Sequence, residues 1–484
     1  MNKIFTLFGI AVSATMFSQF TSPGNGQNYT LSSLSAAAPT VLVNNGTDYQ
    51  MTANITISAG DNLVIDENTT LKIDGGIQLN IAGNYTTTAT NFVVTATDPA
   101  ALFRGIHFQD TSTAEVKNTT FEYGGGIRVS TGNFLMDNCI VKYFKAGLVT
   151  SSAIQLSEGA PVFQNSQFLE NHLAVFGSGA NVSVAPVIQN NYLYHNTLGD
   201  SNRPQINLGP SGVGATTKVL NNTVIGNRNL TKVGGISVSS LLGVPNDVLI
   251  DGNIVTDNRY GITITGNNCT GTISNNILTD NEVETNPQNG GSGINLYGNM
   301  QIKIEKNQIR GSLWGVTLVQ GANADLGGGF LGSVGENIFF DNGNGGILYA
   351  LFNNTSNNIS ATNNCWRENE LSTDAMVEEV ISHQVDDAAL GLVNFSPYLC
   401  AETLATTEAN AIKSSIYPNP SKGTFTFEGE KSGNISIMDM SGKIVHSGIV
   451  SKGKNTVSTN LKAGVYILLY QSEGKKSTTK LLVK

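Results

Sequence analysis

The 484-residue chain sets 27 Lys and Arg against 36 Asp and Glu, for a net charge of −9, and no basic stripe stands out before its last seventy residues. Nothing in that balance would neutralise a phosphate backbone, so nucleic acid is excluded as a partner. Charged residues make up only 13%, glycine reaches 53, and Asn, Ser and Thr abound, which describes a turn-rich β chain too long for one ordinary core unless a repeat lets that core grow lengthwise.

The chain opens with Lys3, an apolar stretch Ile4 to Phe17 too short to span a bilayer, and a cleavage-like Ser18-Gln19. These predict a secretory signal peptide over residues 1–18. No later stretch has the length and apolarity of a membrane span, so a monomer working outside the cytoplasm is expected.

From residue 119 the chain is self-similar at an irregular period of 20 to 31 residues. Ten segments align without gaps, starting at Thr119, Cys139, Ser166, Asn191, Asn222, Asn253, Asn276, Asn307, Asn337 and Asn364. Two places on, every copy is apolar: Phe121, Val141, Phe168, Leu193, Val224, Val255, Leu278, Ile309, Phe339 and Trp366. Five places on, seven of the ten copies carry asparagine, from Asn171 to Asn369. Each unit reads as about three short strands with tight corners and no helix. Such strands bury a face only if the chain coils and each unit stacks on the last, about 4.8 Å apart. With two further coils from the pattern around Val41 to Phe108, about twelve are expected. The asparagines read as scaffold, adopting left-handed corners and forming amide ladders along the axis.

On these residues, 40–400 resemble the right-handed parallel β-helix repeat family, the pectate-lyase-like superfamily in the broad sense. That group holds polysaccharide lyases, glycoside hydrolases, carbohydrate-binding proteins and adhesins, so the resemblance implies a fold and leaves the activity open. Asn363-Asn364-Cys365-Trp366, Val385-Asp386-Asp387 and Asn394-Phe395-Ser396-Pro397-Tyr398-Leu399 look like the end segment of bacterial members. A short helix over Asp374 to Ser382 is expected to cap the last coil within a capping segment of about 366–400. The β-helix is thus assigned to residues 19–400. The Asn-Thr-Asp, Asp-Asp, Gly-His-Gly and Arg-Ile-Lys set known from polygalacturonase-like hydrolases is missing from this sequence.

A small polar stretch over 401–412 reads as a linker, and a different pattern fills 413–484. Tyr417-Pro418-Asn419-Pro420, then Gly423 with its Thr-Phe alternation, and later Gly464-Val465-Tyr466 mark short alternating strands, a small antiparallel sandwich. With the basic end Lys480 to Lys484, this segment resembles the C-terminal sorting domain of type IX secretion cargo from Bacteroidota. The resemblance implies export across the outer membrane, partnership with the type IX machinery, and display at or release from the cell surface. An Ig-like binding module is the alternative.

Register also yields outward columns. The residue after each inward apolar one gives Glu122, Lys142, Leu169, Tyr194 and their successors; the next column, beside the corner, gives Tyr123, Tyr143, Glu170 and His195. Together these form a surface able to stack sugar rings and bond hydroxyls, with Glu122, Tyr123 and Tyr194 as ligand contacts. Lys142, Tyr143, Glu170 and His195 are the catalytic candidates if a proton beside a uronic carboxyl group is abstracted. The alternative is a polar outer face with a few exposed tyrosines. Asp257 and Asp280 fall at one position of successive units, suggesting a glycosidase-like carboxyl pair or a shared calcium site, or else aspartates bonded to their own turns. The Asp341-Asn342-Gly343 run reads as a corner rather than a calcium loop. No metal-ligand spacing is present and no cofactor is required, though calcium stays open. Cys139, Cys269, Cys365 and Cys400 lack close-spaced pairing; Cys365 and Cys400, where the repeats end, are the candidate disulfide, with burial as free thiols as the alternative. The reading that best fits these features is a secreted glycan-binding β-helix, with a polysaccharide lyase or glycoside hydrolase next and a purely structural or adhesive protein third.

Overall fold

A computed structural model of the protein describes residues 19–145, 151–399, 414–439, 443–472 and 475–484. The expected signal peptide, Cys400 and the expected linker lie outside the described residues. The chain forms two compact units: one runs to Leu249 and includes Val255–Thr270, the other comprises Ile250–Ile254 and Gly271–Lys484.

In the first unit every third strand returns to the same parallel sheet. One sheet runs through Gln78–Ile81, Gly105–Phe108, Ile127–Val129, Ser152–Leu156 and Ala174–Ser178. A second runs through Phe92–Ala96, Thr119–Glu122, Ile140–Lys142, Gln167–Leu169, Tyr192–Tyr194 and Thr223–Ile225, and a third through Asn84–Thr87, Thr113–Lys117, Phe134–Asp137 and Val162–Gln164. The second sheet has the expected register: Phe121, Val141, Phe168, Leu193 and Val224 are successive partners. All five are buried, because a period-2 strand on a closed coil must turn alternate side chains inward. Buried rings continue this order along the core, with Phe108, Phe134, Phe163 and Phe176 in sequential contact at centroid distances of 5.0, 5.3 and 5.0 Å.

The coils begin earlier than the Val41 pattern suggested: Phe20–Thr21 pairs with Ile55–Ile57 and Asn28–Tyr29 with Asn62–Ile65. Between them sits a helix, Leu31–Ala37, opened by a capping box of Thr30 and Ser33 that satisfies backbone donors at both positions. It buries Leu31 and Leu34.

The second unit repeats the scheme. Leu278, Ile309 and Phe339 are in register, and Cys365 bridges Ile338 one coil on, which brings Trp366 parallel to Phe339 with ring centroids 5.0 Å apart. The expected capping helix is shorter than Asp374 to Ser382: it covers Asp374–Glu378, capped by Thr373, because Ile381–Ser382 leaves it to pair with Leu351–Asn354. Buried His383 locks this end. Its Nδ1 accepts from the Val393 N–H at 2.9 Å, and its Nε2 lies 2.7 Å from the Glu378 carboxylate.

The asparagines divide the two tasks expected of them. The left-handed residues are the ones just before: Asn190 (φ 56°), Asn221 (54°) and Asn275 (54°) at one corner, and Tyr123, Tyr143, Glu170, His195, Asp257 and Asp280 (φ 51–59°) at another. The asparagines that follow are buried and form the ladders. Asn191 donates its N–H and Nδ2 to Asn222 Oδ1, both at 3.0 Å, and Asn171 donates its own to Asn196 Oδ1. A planar amide with two donors and an acceptor can satisfy the coil above, its own corner and the coil below at once, which explains its burial.

In the C-terminal segment Ser414–Tyr417, Thr424–Gly429 and Gly453–Ser458 form a three-stranded antiparallel sheet. Ile444–Val450, Gly433–Met438, Gly464–Ser472 and Lys475–Val483 form a four-stranded one. Phe425, Phe427, Ile435, Ile437, Leu468 and Tyr470 are among its buried core.

Candidate functional site

The second sheet of the first unit presents the expected outward column. Glu122, Lys142, Leu169 and Tyr194 are paired in that order. Axial neighbours of opposite charge attract, and Lys142 Nζ lies 2.9 Å from Glu122 Oε2, with both side chains half-buried. The ammonium also sits 5.3 Å from the centre of the Tyr143 ring. Lys142 thus has two partners on this face, a carboxylate along the axis and the ring of its own neighbour.

Beside it, the corner column is left-handed at every one of its first four positions, which turns Tyr123, Tyr143, Glu170 and His195 outward along one edge. Tyr123 and Tyr143 stack with centroids 5.2 Å apart and planes 26° from parallel. Tyr194 stacks on His195 at 3.7 Å and 18°, and on Tyr192 at 5.9 Å and 12°. Burial in this stack lowers the His195 pKa, against the opposing pull of Glu170 and Asp257, so the ring is biased towards neutral imidazole. Three half-buried tyrosine rings, Tyr123, Tyr143 and Tyr194, and the half-buried imidazole of His195 therefore share four successive coils, with Tyr192 buried behind Tyr194.

Asp257 is engaged by Arg228, whose Nη1 lies 2.8 Å from Oδ1. The sequence offered no sign of this partner, since Arg228 stands outside the aligned columns. Asp280 belongs to the other unit, where its left-handed backbone (φ 54°) makes it a corner residue. Among the described residues no cluster of three or more His, Cys, Asp or Glu is arranged to hold a metal ion. Asp341 is a corner, as expected, and the glycines after it fold into a two-strand hairpin, Gly343–Asn344 with Ile347–Leu348.

A groove of about 810 Å³ lies on the third sheet of the first unit, lined by Asn62, Asn84, Thr86, Thr113, Glu115 and Leu135 among others. Sequence columns missed it because the coils before Thr119 follow a different pattern. Its floor is another amide ladder, in which Asn84 Nδ2 donates to Asn62 Oδ1 at 2.6 Å and Asn62 Nδ2 donates to Asn28.

In the C-terminal segment the motif residues act together. Asn419 accepts from the Leu482 N–H at 2.8 Å and donates to the Lys480 carbonyl at 2.7 Å, clipping the opening motif onto the last strand. Pro418 and Pro420 flank that asparagine. Gly423, at φ 91°, takes a turn closed to a side chain's usual backbone, and Tyr466, two residues after Gly464, donates its hydroxyl to the Lys462 carbonyl at 2.9 Å. Tyr417 stays partly exposed.

Residues 415–484 match the family model of the secretion system C-terminal sorting domain, and residues 75–241 that of the right-handed beta helix region. This is a right-handed β-helix protein with a type IX sorting domain. Residues 250–371 of the β-helix protein also match a family described as a protein of unknown function, DUF1565. No curated protein matches its sequence. The sorting domain addresses the β-helix protein to the cell surface or the extracellular space through the type IX machinery. No helix among its described residues is long and apolar enough to cross a membrane.

Proposed function

We propose that the β-helix protein, exported with the help of an N-terminal signal peptide over residues 1–18, binds a glycan or another extended extracellular ligand along the lateral face that carries Tyr123, Tyr143, Glu170, Tyr194 and His195. The observation that carries this reading is the pair of ring stacks within four successive coils, Tyr123 with Tyr143 and Tyr194 with His195. Ring faces repeated at the coil spacing suit an extended chain of apolar-faced sugar rings, and Glu170 stands between the two stacks to accept hydroxyl donors. No cofactor is required by this reading; loss of binding on chelation would give calcium a part in it.

The test is binding to a panel of neutral and uronic polysaccharides, followed by ultraviolet absorbance of unsaturated products and by reducing-sugar release. Tyr143→Ala and Tyr194→Ala should each weaken binding about tenfold, the loss of one stacked ring at roughly 1–1.5 kcal/mol. Turnover abolished by His195→Ala would replace the binding reading with a lyase or hydrolase. A second face is favoured by the 810 Å³ groove, and binding lost on Asn84→Ala but kept in the tyrosine variants would move the ligand there. Binding to no polysaccharide would leave a structural or adhesive role.

A further inference from the structure

The last coils of the second unit enclose a cavity of about 300 Å³, and its lining differs in kind from the lateral face. Trp366 is buried and stacked on Phe339, and its indole N–H has no hydrogen-bond partner among the described residues. Buried indole donors are normally satisfied, and this one, shut off from solvent, is left without an acceptor in a residue that lines the cavity. Around it, Phe340 and Leu348 are apolar walls that remain 44% and 36% exposed. Leu348 belongs to the small hairpin after Asp341, which gives the cavity one side built from an insertion in the repeat.

The polar lining is equally specific. Arg367 holds Glu370 with Nε 2.8 Å from Oε2, leaving guanidinium and carboxylate side by side, and the exposed carboxylate of Asp341 has no hydrogen bond among the described residues. An aromatic wall with a carboxylate and a guanidinium–carboxylate pair at its edge matches a saturated ring that is apolar on its face and hydroxylated at its rim. The volume admits a single such ring and no extended chain.

The geometry points to this cavity as a binding site for one pyranose unit, the terminal sugar of a glycan or a free monosaccharide. It takes over the ligand class of the lateral-face reading but shares no residue with that face, so either can fail alone.

The chain has two tryptophans, so Trp314→Phe leaves Trp366 as the sole indole reporter. In the full-length protein carrying that change, titration with glucose, N-acetylglucosamine, glucuronate and galacturonate should give a saturable change in Trp366 emission for at least one sugar. Calorimetry of the unsubstituted protein with the same sugar checks that Trp314→Phe has not altered the site. Phe340→Ala or Asp341→Asn should weaken the response at least tenfold with unchanged circular dichroism, whereas Tyr143→Ala and Tyr194→Ala should leave it intact. The proposal is overturned if none of the four sugars saturates, or if the response survives Phe340→Ala and is lost in the tyrosine variants. A terminal sugar is indicated over a free monosaccharide if an oligosaccharide ending in the responding unit binds at least as tightly.

Discussion

The backbone N–H and the side-chain amide of Asn276 both donate to Oδ1 of Asn307, at 3.1 and 2.9 Å, and those of Asn307 in turn donate to Asn337 Oδ1, both at 3.0 Å, within the same buried file. Asn307 also serves the Ile273 carbonyl. Removing one amide therefore strands donors and acceptors on both neighbouring coils. Asn307→Ala should destabilise the second unit by about 3 kcal/mol or more, since each buried group left unpaired costs roughly 1–3 kcal/mol. Asn275→Gly, at the left-handed corner just before the ladder, should cost far less. Denaturant midpoints of the two variants check the contrast, and equal losses would contradict the division of labour between neighbouring asparagines.

That division was only half legible in the sequence. The inward column from Phe121 to Trp366 could be read because its position in each segment never varies, and it fixed the coil. Propensity for left-handed turns would give the asparagines at those same segments the corners as well as the ladders; packing instead gives the corner to whichever residue precedes, including bulky Tyr143 and His195. The helix Leu31–Ala37 was invisible, being seven residues of Leu, Ser and Ala with no sustained period. That Lys142 and Glu122 are axial neighbours is legible from their shared column, though their ion pair is a finding of the structure; the cavity at Trp366 depends on a hairpin inserted outside the repeat, where register carries no information.

Asp61 is buried beneath the first turn of the chain and accepts backbone donors from Gly24 at 2.7 Å, Gln27 at 2.8 Å and Gly26 at 3.0 Å. Burial pushes its pKa up, but hydrogen bonds from Ser22, Gly24, Gln27 and Gly26 outweigh it and leave the pKa lowered. A carboxyl with a depressed folded pKa stabilises fully above its unfolded pKa of about 4 and loses that contribution as pH falls through the folded value. Asp61→Asn should therefore lower the melting temperature at neutral pH, with the gap to the unsubstituted protein closing in acid. A gap independent of pH would remove the charge from the explanation.

Burial pushes the Cys139 thiol up to about 12 and the Cys269 thiol up to about 11. Thiols so far from ionising, and shielded from solvent, should resist alkylation in the native protein and react only after denaturation. Leu399 bridges buried Cys365 through the backbone, which brings the chain beside it one residue before Cys400. A non-reducing peptide map should show those two cysteines linked in secreted protein; labelling of both without reductant would reject the pairing.

Deletion of residues 413–484 should trap the protein inside the outer membrane. Asn419→Ala, which removes the clip to Lys480 and Leu482, should reduce surface delivery while leaving the β-helix folded. Fractionation of cells producing each form measures both. Normal delivery of the deletion would contradict the sorting assignment.

Register makes the ligand face, because only stacked coils bring Tyr143, Glu170 and His195 together on one side. Leu169 and Tyr194 are direct partners on adjacent strands, about 4.8 Å apart in a parallel sheet and within disulfide reach. Oxidation of the double variant Leu169→Cys, Tyr194→Cys, followed by peptide mapping, should link the two introduced cysteines, whereas Leu169→Cys with Thr223→Cys, two coils apart, should stay unlinked. Equal linkage in both pairs, or linkage in the second alone, would contradict the stacked register and with it the proposed ligand face.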